Sequence, residues 1–341
     1  MIEISHLTKR YGETVAVDDL SFTVEPGRVT GFLGPNGAGK TTTMRAILGL
    51  DVPTSGSVSI NGRRYQDLPV PLREVGALLD AKALHGGRSA VKHLQALALS
   101  NGLPTSRVGE VLQMVGLQSV ARRRAGGFSL GMSQRLGVAA ALLGDPAIVM
   151  FDEPVNGLDP EGILWIRQLM RDLASQGRTV LVSSHLMSEM ALTADHLVVI
   201  GRGRLIANTS MADFIDAGSS EQTLVKSRDD STLASRLAEA GLAVRPSEDG
   251  GLICSGSGLE RIGEVALDAR IVLDELTPVR ASLEEAFMEL TRDSVDFVAA
   301  IPGSRGSATD GSDYGGAQTS GRQSGGQPIH QHAEASEEIY R

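Results

Sequence analysis

The run Gly34-Pro35-Asn36-Gly37-Ala38-Gly39-Lys40-Thr41 carries the densest chemical signal in this 341-residue chain. Its spacing, G-x-x-x-x-G-K-[ST], suits the capture of phosphate. The glycines let the backbone wind so that successive N–H groups point at phosphate oxygens. Lys40 would reach the β- and γ-phosphates, and the Thr41 hydroxyl would be offered to Mg²⁺. Thr42 follows in the same turn, where the start of a helix adds the positive end of its dipole. An ordinary glycine turn does not need an apolar strand before it and a helix after it; this loop has both.

A second signal is Ile148-Val-Met-Phe151-Asp152-Glu153, a short apolar strand with two carboxylates at its C-terminal end. Ligands of open α/β sheets sit at that end of the strands. Asp152 would hold Mg²⁺ through water, and Glu153 is placed to act as general base on the water that attacks a γ-phosphate. A lone Asp-Glu after a strand is weak; with the phosphate loop upstream it becomes a Walker B candidate.

These residues need a scaffold, and the pattern supplies one. Met1 to Leu7, Thr14 to Glu25 and Arg28 to Leu33 read as strands, and Thr41 to Leu50 reads as a helix. Val58 to Ile60 followed by Asn61-Gly62 reads as a hairpin edge. Helical spacing runs from Ser89 to Val120. Ala147 to Phe151 and Thr179 to Ser183 are compact strands with the helix Leu164 to Ala174 between them. Strands alternating with helices predict an α/β fold with a parallel sheet. Residues 1–217 form one such domain, with a helical subdomain near 82–140. A second block, 218–297, mixes strands (Thr223–Lys226, Leu252–Cys254, Ile271–Leu273) with helices (Ser231–Ala240, Leu259–Ala269, Ser282–Leu290) and reads as an α+β extension. Within it Leu283, Ala286, Phe287 and Leu290 make an apolar stripe at helical spacing. Residues 298–341 are rich in Gly, Ser and Gln and are expected to be disordered, because they bury too little to offset ordering entropy.

A formal net charge of −9 argues against nucleic acid as a partner. The single cysteine, Cys254, allows no internal disulfide and reads as a buried small hydrophobe. MIEISHLTKRYG has no apolar core of a signal peptide, and no stretch is apolar for the ~18 residues a membrane span needs. Action at a membrane would therefore require a second chain that crosses it.

With further motifs in order, the chain resembles the ABC ATPase family. Phe128-Ser129-Leu130-Gly131-Met132-Ser133-Gln134-Arg135 is similar to the family signature L-S-G-G-x-x-Q-R, with Leu130 at the first glycine and Phe128 at the leading leucine. Asn156-Gly157-Leu158-Asp159 resembles the D-loop, Ser183-Ser184-His185 the switch histidine, and Tyr11 the aromatic that stacks on adenine. Asp80 stands where the family usually has glutamine; a carboxylate there could contact Mg²⁺ through water. The resemblance implies a P-loop NTPase core with an N-terminal antiparallel β subdomain and a helical signature subdomain. It implies ATP and Mg²⁺ as the bound groups, and a nucleotide held between the P-loop of one subunit and Ser129, Gly131 and Asp159 of another. His185 and Glu153 are then the catalytic pair, and their presence favours a homodimer. The implied partner is a separately encoded membrane permease, which places the protein at the cytoplasmic face of the cell membrane. Val75 to Asp80, Ser129 to Met132, Ala139 to Leu143 and Ser282 to Leu290 resemble drug-resistance exporter ATPases of the daunorubicin type, and lantibiotic-immunity ATPases share much of the pattern.

Overall fold

The computed structural model describes residues 1–218, 222–247, 250–256 and 258–279. The stripe at Leu283, Ala286, Phe287 and Leu290 and the Gly/Ser-rich tail lie outside them. In chain order the elements are β1 (Ile2–Tyr11), β2 (Thr14–Val24), β3 (Val29–Leu33), α1 (Lys40–Ile47), β4 (Ser55–Ile60), α2 (Pro71–Glu74) and β5 (Val75–Leu78). Then come α3 (Ala90–Ser100), α4 (Arg107–Met114), α5 (Leu130–Ala141), β6 (Ile148–Asp152), α6 (Pro160–Ser175), β7 (Thr179–Ser184), α7 (Met187–Ala191), β8 (His196–Gly201), β9 (Arg204–Ser210) and α8 (Met211–Gly218).

The sheet that carries the chemistry has the order β5-β6-β7-β3-β8-β9, parallel except for β9. Parallel strands covered on both faces must be apolar almost throughout. All of β3 and β7 is buried, as are the first four residues of β6. Alternate residues face opposite layers. Ile148, Met150, Leu181 and Phe32 enter the core shared with the β subdomain, while Val149, Phe151, Val180 and Leu33 enter the core shared with the helices.

The β subdomain is the antiparallel sheet β2-β1-β4, and Phe22 meets Phe32 at 5.3 Å between ring centroids where it packs on the main sheet. Asn61-Gly62 does turn the chain, with both residues at positive φ, but the return is a single bridge between Ile60 and Arg63 and not a second strand. The helical stretch predicted over 89–120 is interrupted after Ser100, where Gly102 takes positive φ and Pro104 follows.

The C-terminal block is β10 (Gln222–Ser227), α9 (Asp230–Glu239), β11 (Ala243–Pro246), β12 (Leu252–Ser255), α10 (Leu259–Asp268) and β13 (Leu273–Val279), in sheet order β11-β12-β10-β13. This is the ferredoxin-like split β-α-β arrangement. It has its own core, including Val225, Leu233, Leu237, Leu252, Ile262 and a fully buried Cys254. Burial raises the pKa of that thiol. The strand expected at Ile271–Leu273 instead begins at Leu273 and runs on through Pro278. Proline is tolerated because β13 is an edge strand. No helix among the described residues is long and apolar enough to cross a membrane.

Candidate functional site

The glycine loop is fixed by crowding. A Cβ on Gly34 would lie 2.5 Å from the Ile200 carbonyl oxygen, and one on Gly39 would lie 2.5 Å from that of Ala16. Gly39 also has φ 102°, a left-handed value that admits glycine readily. The Gly39 carbonyl accepts from both the N–H and the hydroxyl of Thr43, which pins the first turn of α1. Residues 36–42 then line a cavity of about 210 Å³ together with Ala16, Asp152 and Glu153.

Lys40 is buried and lies back across the loop. Its Nζ donates to the carbonyls of Gly34 (2.7 Å) and Pro35 (3.3 Å) and stands 3.8 Å from Glu153 Oε1. Burial lowers its pKa, and the charges of Glu153 and Asp152 oppose that shift. An anion in the loop would compete with two carbonyls for the ammonium, a weaker hold than a paired carboxylate.

Strand order explains how the loop meets the carboxylates. β7 separates β3 from β6, and its end supplies Ser183, directly across from Asp152 in the ladder. The Ser183 hydroxyl donates to Asp152 Oδ1, while Thr41 Oγ1 donates to Asp152 Oδ2 at 2.6 Å. A carboxylate and a hydroxyl side by side at the mouth of a phosphate cradle are hard oxygen donors, the set Mg²⁺ takes alongside phosphate oxygens. The residues present therefore fit that ion.

Glu153 is the strained residue of the site. It takes φ 49°, which costs on the order of 1–3 kcal/mol for a side chain other than glycine. Two bonds hold it there: its N–H donates to Ser183 Oγ (3.0 Å), and its carbonyl accepts from Gln134 Nε2 (3.2 Å). The turn aims its carboxylate at His185, whose Nδ1 lies 2.9 Å from both oxygens. Sequence reasoning quoted Ser183 and Gln134 within their motifs but gave neither a role. The strand register and the approach of α5, which decide those roles, leave no local mark.

Other expected site residues lie apart from the cavity lining. Tyr11, about half exposed, donates to Asp51 Oδ2 at 2.8 Å with Lys9 Nζ 4.8 Å from its ring centre. Partial burial, then the bond to Asp51, raises its phenol pKa. Ser129 caps α5 by accepting from Met132 N–H, and Asp159 caps α6 by accepting from Gly162 N–H. A Cβ on Gly131 would stand 2.9 Å from the Gly157 carbonyl oxygen, so the signature turn rests on the 156–159 loop of its own chain. Asp80 is exposed, and its Oδ1 accepts from Lys82 N–H at 2.7 Å.

Comparison with known proteins agrees with this geometry. The ABC transporter family pattern matches residues 17–156, and a domain of unknown function (DUF8746) matches 221–284. The chain is 40% identical over 216 residues to the uncharacterized ABC transporter ATP-binding protein YhcH of Bacillus subtilis, covering 62% of this chain and 71% of that protein. It is 42% identical over 209 residues to the bacitracin transport ATP-binding protein BcrA of Bacillus licheniformis, covering 60% and 68%. Among solved structures, an ATP-binding subunit of an ABC transporter superimposes with TM-score 0.59 at 28% identity, over 64% of this chain and 92% of that one.

Proposed function

Because the chain belongs to the ABC transporter ATP-binding proteins, we propose that it hydrolyses ATP at Lys40, Asp152 and Glu153 and thereby drives a separate membrane permease. The observation that supports this reading best is the meeting of Thr41, Asp152, Ser183 and Glu153 at the C-terminal ends of adjacent strands, beside a loop whose crowded positions 34 and 39 require glycine. The backbone N–H groups of residues 36–41 would receive the phosphates, and Lys40 would exchange the Gly34 carbonyl for the β- and γ-oxygens. Thr41 and Asp152 would hold Mg²⁺, which when bound neutralises charge developing on the phosphates. Glu153 would take a proton from the attacking water as its oxygen bonds to the γ-phosphorus and the bond to ADP breaks. His185, 2.9 Å away, keeps the carboxylate turned to that position.

The second half of the site would come from another copy. Ser129, Gly131 and Asp159 sit outside the cavity lining of their own chain, and the signature turn presents an exposed Leu130. ATP binding would close two chains against each other, and hydrolysis would release them. The resemblance to bacitracin and lantibiotic transport proteins points to export of an antibiotic or similar drug from the cytoplasmic face of the membrane. Glu153→Gln should leave ATP binding intact and slow hydrolysis by about 10²–10⁴-fold. Hydrolysis at the unsubstituted rate would remove Glu153 from the base role.

A further inference from the structure

The helical subdomain carries a charge opposite to that of the protein. Residues 82–140 hold eight Lys/Arg and a single acid, Glu110, in a chain of formal net charge −9. Two of these cations are engaged by charged or aromatic side chains: Arg107 pairs with Glu110 and Asp145, and Arg135 lies 4.4 Å from the Trp165 ring centre, while Arg123 Nη2 donates only to the Gly127 carbonyl at 3.4 Å. The other six are Lys82, Arg88, Lys92, Arg122, Arg123 and Arg124. All six are exposed, and none makes an ion pair among the described residues.

Backbone bonds gather them on one face. Ala125 N–H donates to the Arg88 carbonyl (2.9 Å), Ala90 N–H to that of Arg123 (3.2 Å) and Val91 N–H to that of Ala121 (2.9 Å). Ser89 and Arg124 pair as an isolated bridge. The fold thus holds two basic segments side by side, although like charges repel. A buried histidine lies beside Arg88. His93 on α3 has an Nδ1 without a hydrogen-bond partner, and burial, then the charges of Arg88 and His85, lower its pKa.

We propose that this face adsorbs to an anionic lipid surface, with Arg88, Lys92, Arg122, Arg123 and Arg124 meeting phosphate headgroups. Clusters of this size are what negatively charged bilayers attract, and each added cation strengthens adsorption several-fold. A protein partner is the weaker match. Recognition of a folded chain or peptide needs anchoring apolar or aromatic side chains, and neither segment exposes a large one. Instead Gly86, Gly87, Gly126 and Gly127 flank the cations and add no side chain between them. Arg124 leads through Ala125-Gly126-Gly127-Phe128 to the signature residue Ser129, so adsorption would also set the orientation of that turn to the bilayer. The inference stands apart from the ATPase reading, since it needs neither nucleotide nor Lys40.

The test is sedimentation of the full chain with vesicles of phosphatidylcholine alone or with about one third phosphatidylglycerol. The protein should bind only the anionic vesicles and release them in roughly 0.5 M salt, where charges are screened beyond a few ångströms. The triple variant Arg122→Gln, Arg123→Gln, Arg124→Gln should bind them at least tenfold more weakly, with an unchanged melting temperature to show that it folds. Arg88→Gln with Lys92→Gln should give a smaller loss. Binding no stronger to anionic than to neutral vesicles, or a triple variant that binds as tightly as the parent, would overturn the proposal. So would a protein that ignores vesicles but loses a detergent-solubilised permease on the triple substitution; the face would then serve an acidic protein segment.

Discussion

Two loops that open helices, the phosphate loop before α1 and the signature turn before α5, treat their polar groups in opposite ways. At the first, residues at the start of α1 and at the ends of β6 and β7 converge, and Lys40 and Asp152 are held by bonds a ligand could exchange. At the second, the Ser129 hydroxyl serves as a helix cap, Gly131 rests on the Gly157 carbonyl, and Leu130 faces outward. The first gathers its polar groups within one chain, as the proposed phosphate site requires. The second is a finished surface whose polar groups are already used within its own chain. The contrast is what a site divided between two copies requires.

The largest expected effect falls on the first loop. Lys40→Ala should weaken ATP binding by at least 100-fold, measured with a fluorescent nucleotide, because the cation the phosphates need is gone. The signature turn should respond otherwise. Gly131→Ala places a methyl group 2.9 Å from the Gly157 oxygen and forces the turn off the 156–159 loop. Nucleotide binding to the isolated chain should be unchanged while hydrolysis falls about tenfold or more. Equal loss of binding in both variants would erase the distinction.

A smaller effect is expected at Ser183, which serves the first region alone. Ser183→Ala leaves the part-buried Glu153 N–H without its side-chain partner, a cost of about 1 kcal/mol. With one face of Asp152 also released, the melting temperature should fall by several degrees and the Mg²⁺ concentration for half-maximal activity should rise. The smallest effect is expected at Asp80, whose carboxylate is engaged by the Lys82 N–H. Asp80→Asn keeps that acceptor, so the Mg²⁺ dependence of ATP binding should match the parent. A clear change would support the expectation that Asp80 contacts the metal.

The two regions were also unequally legible in the sequence. Gly34 to Thr41 and Asp152-Glu153 could be read directly, because the chemistry of each lies within a few consecutive residues. The two uses of Ser183 could not, because they arise only once β7 is inserted between β3 and β6 in its register. The bond from Gln134 to the Glu153 carbonyl depends likewise on how α5 packs on the sheet end. In the C-terminal block the helices at 230–239 and 259–268 were visible by their apolar spacing, but β11 was missed. Its four residues, Ala243 to Pro246, are mostly exposed and carry no strong alternation. The basic face is not legible in the sequence because its two halves, 88–92 and 122–124, meet only through the bonds between Arg88, Arg123 and their neighbours.

The central claim, that the complete site needs two chains, is tested most directly by light scattering of Glu153→Gln with and without ATP. The account predicts a monomer mass without nucleotide and a dimer mass with ATP, lost again when Lys40→Ala is added. A Glu153→Gln chain that binds ATP tightly yet stays monomeric at every concentration would contradict it.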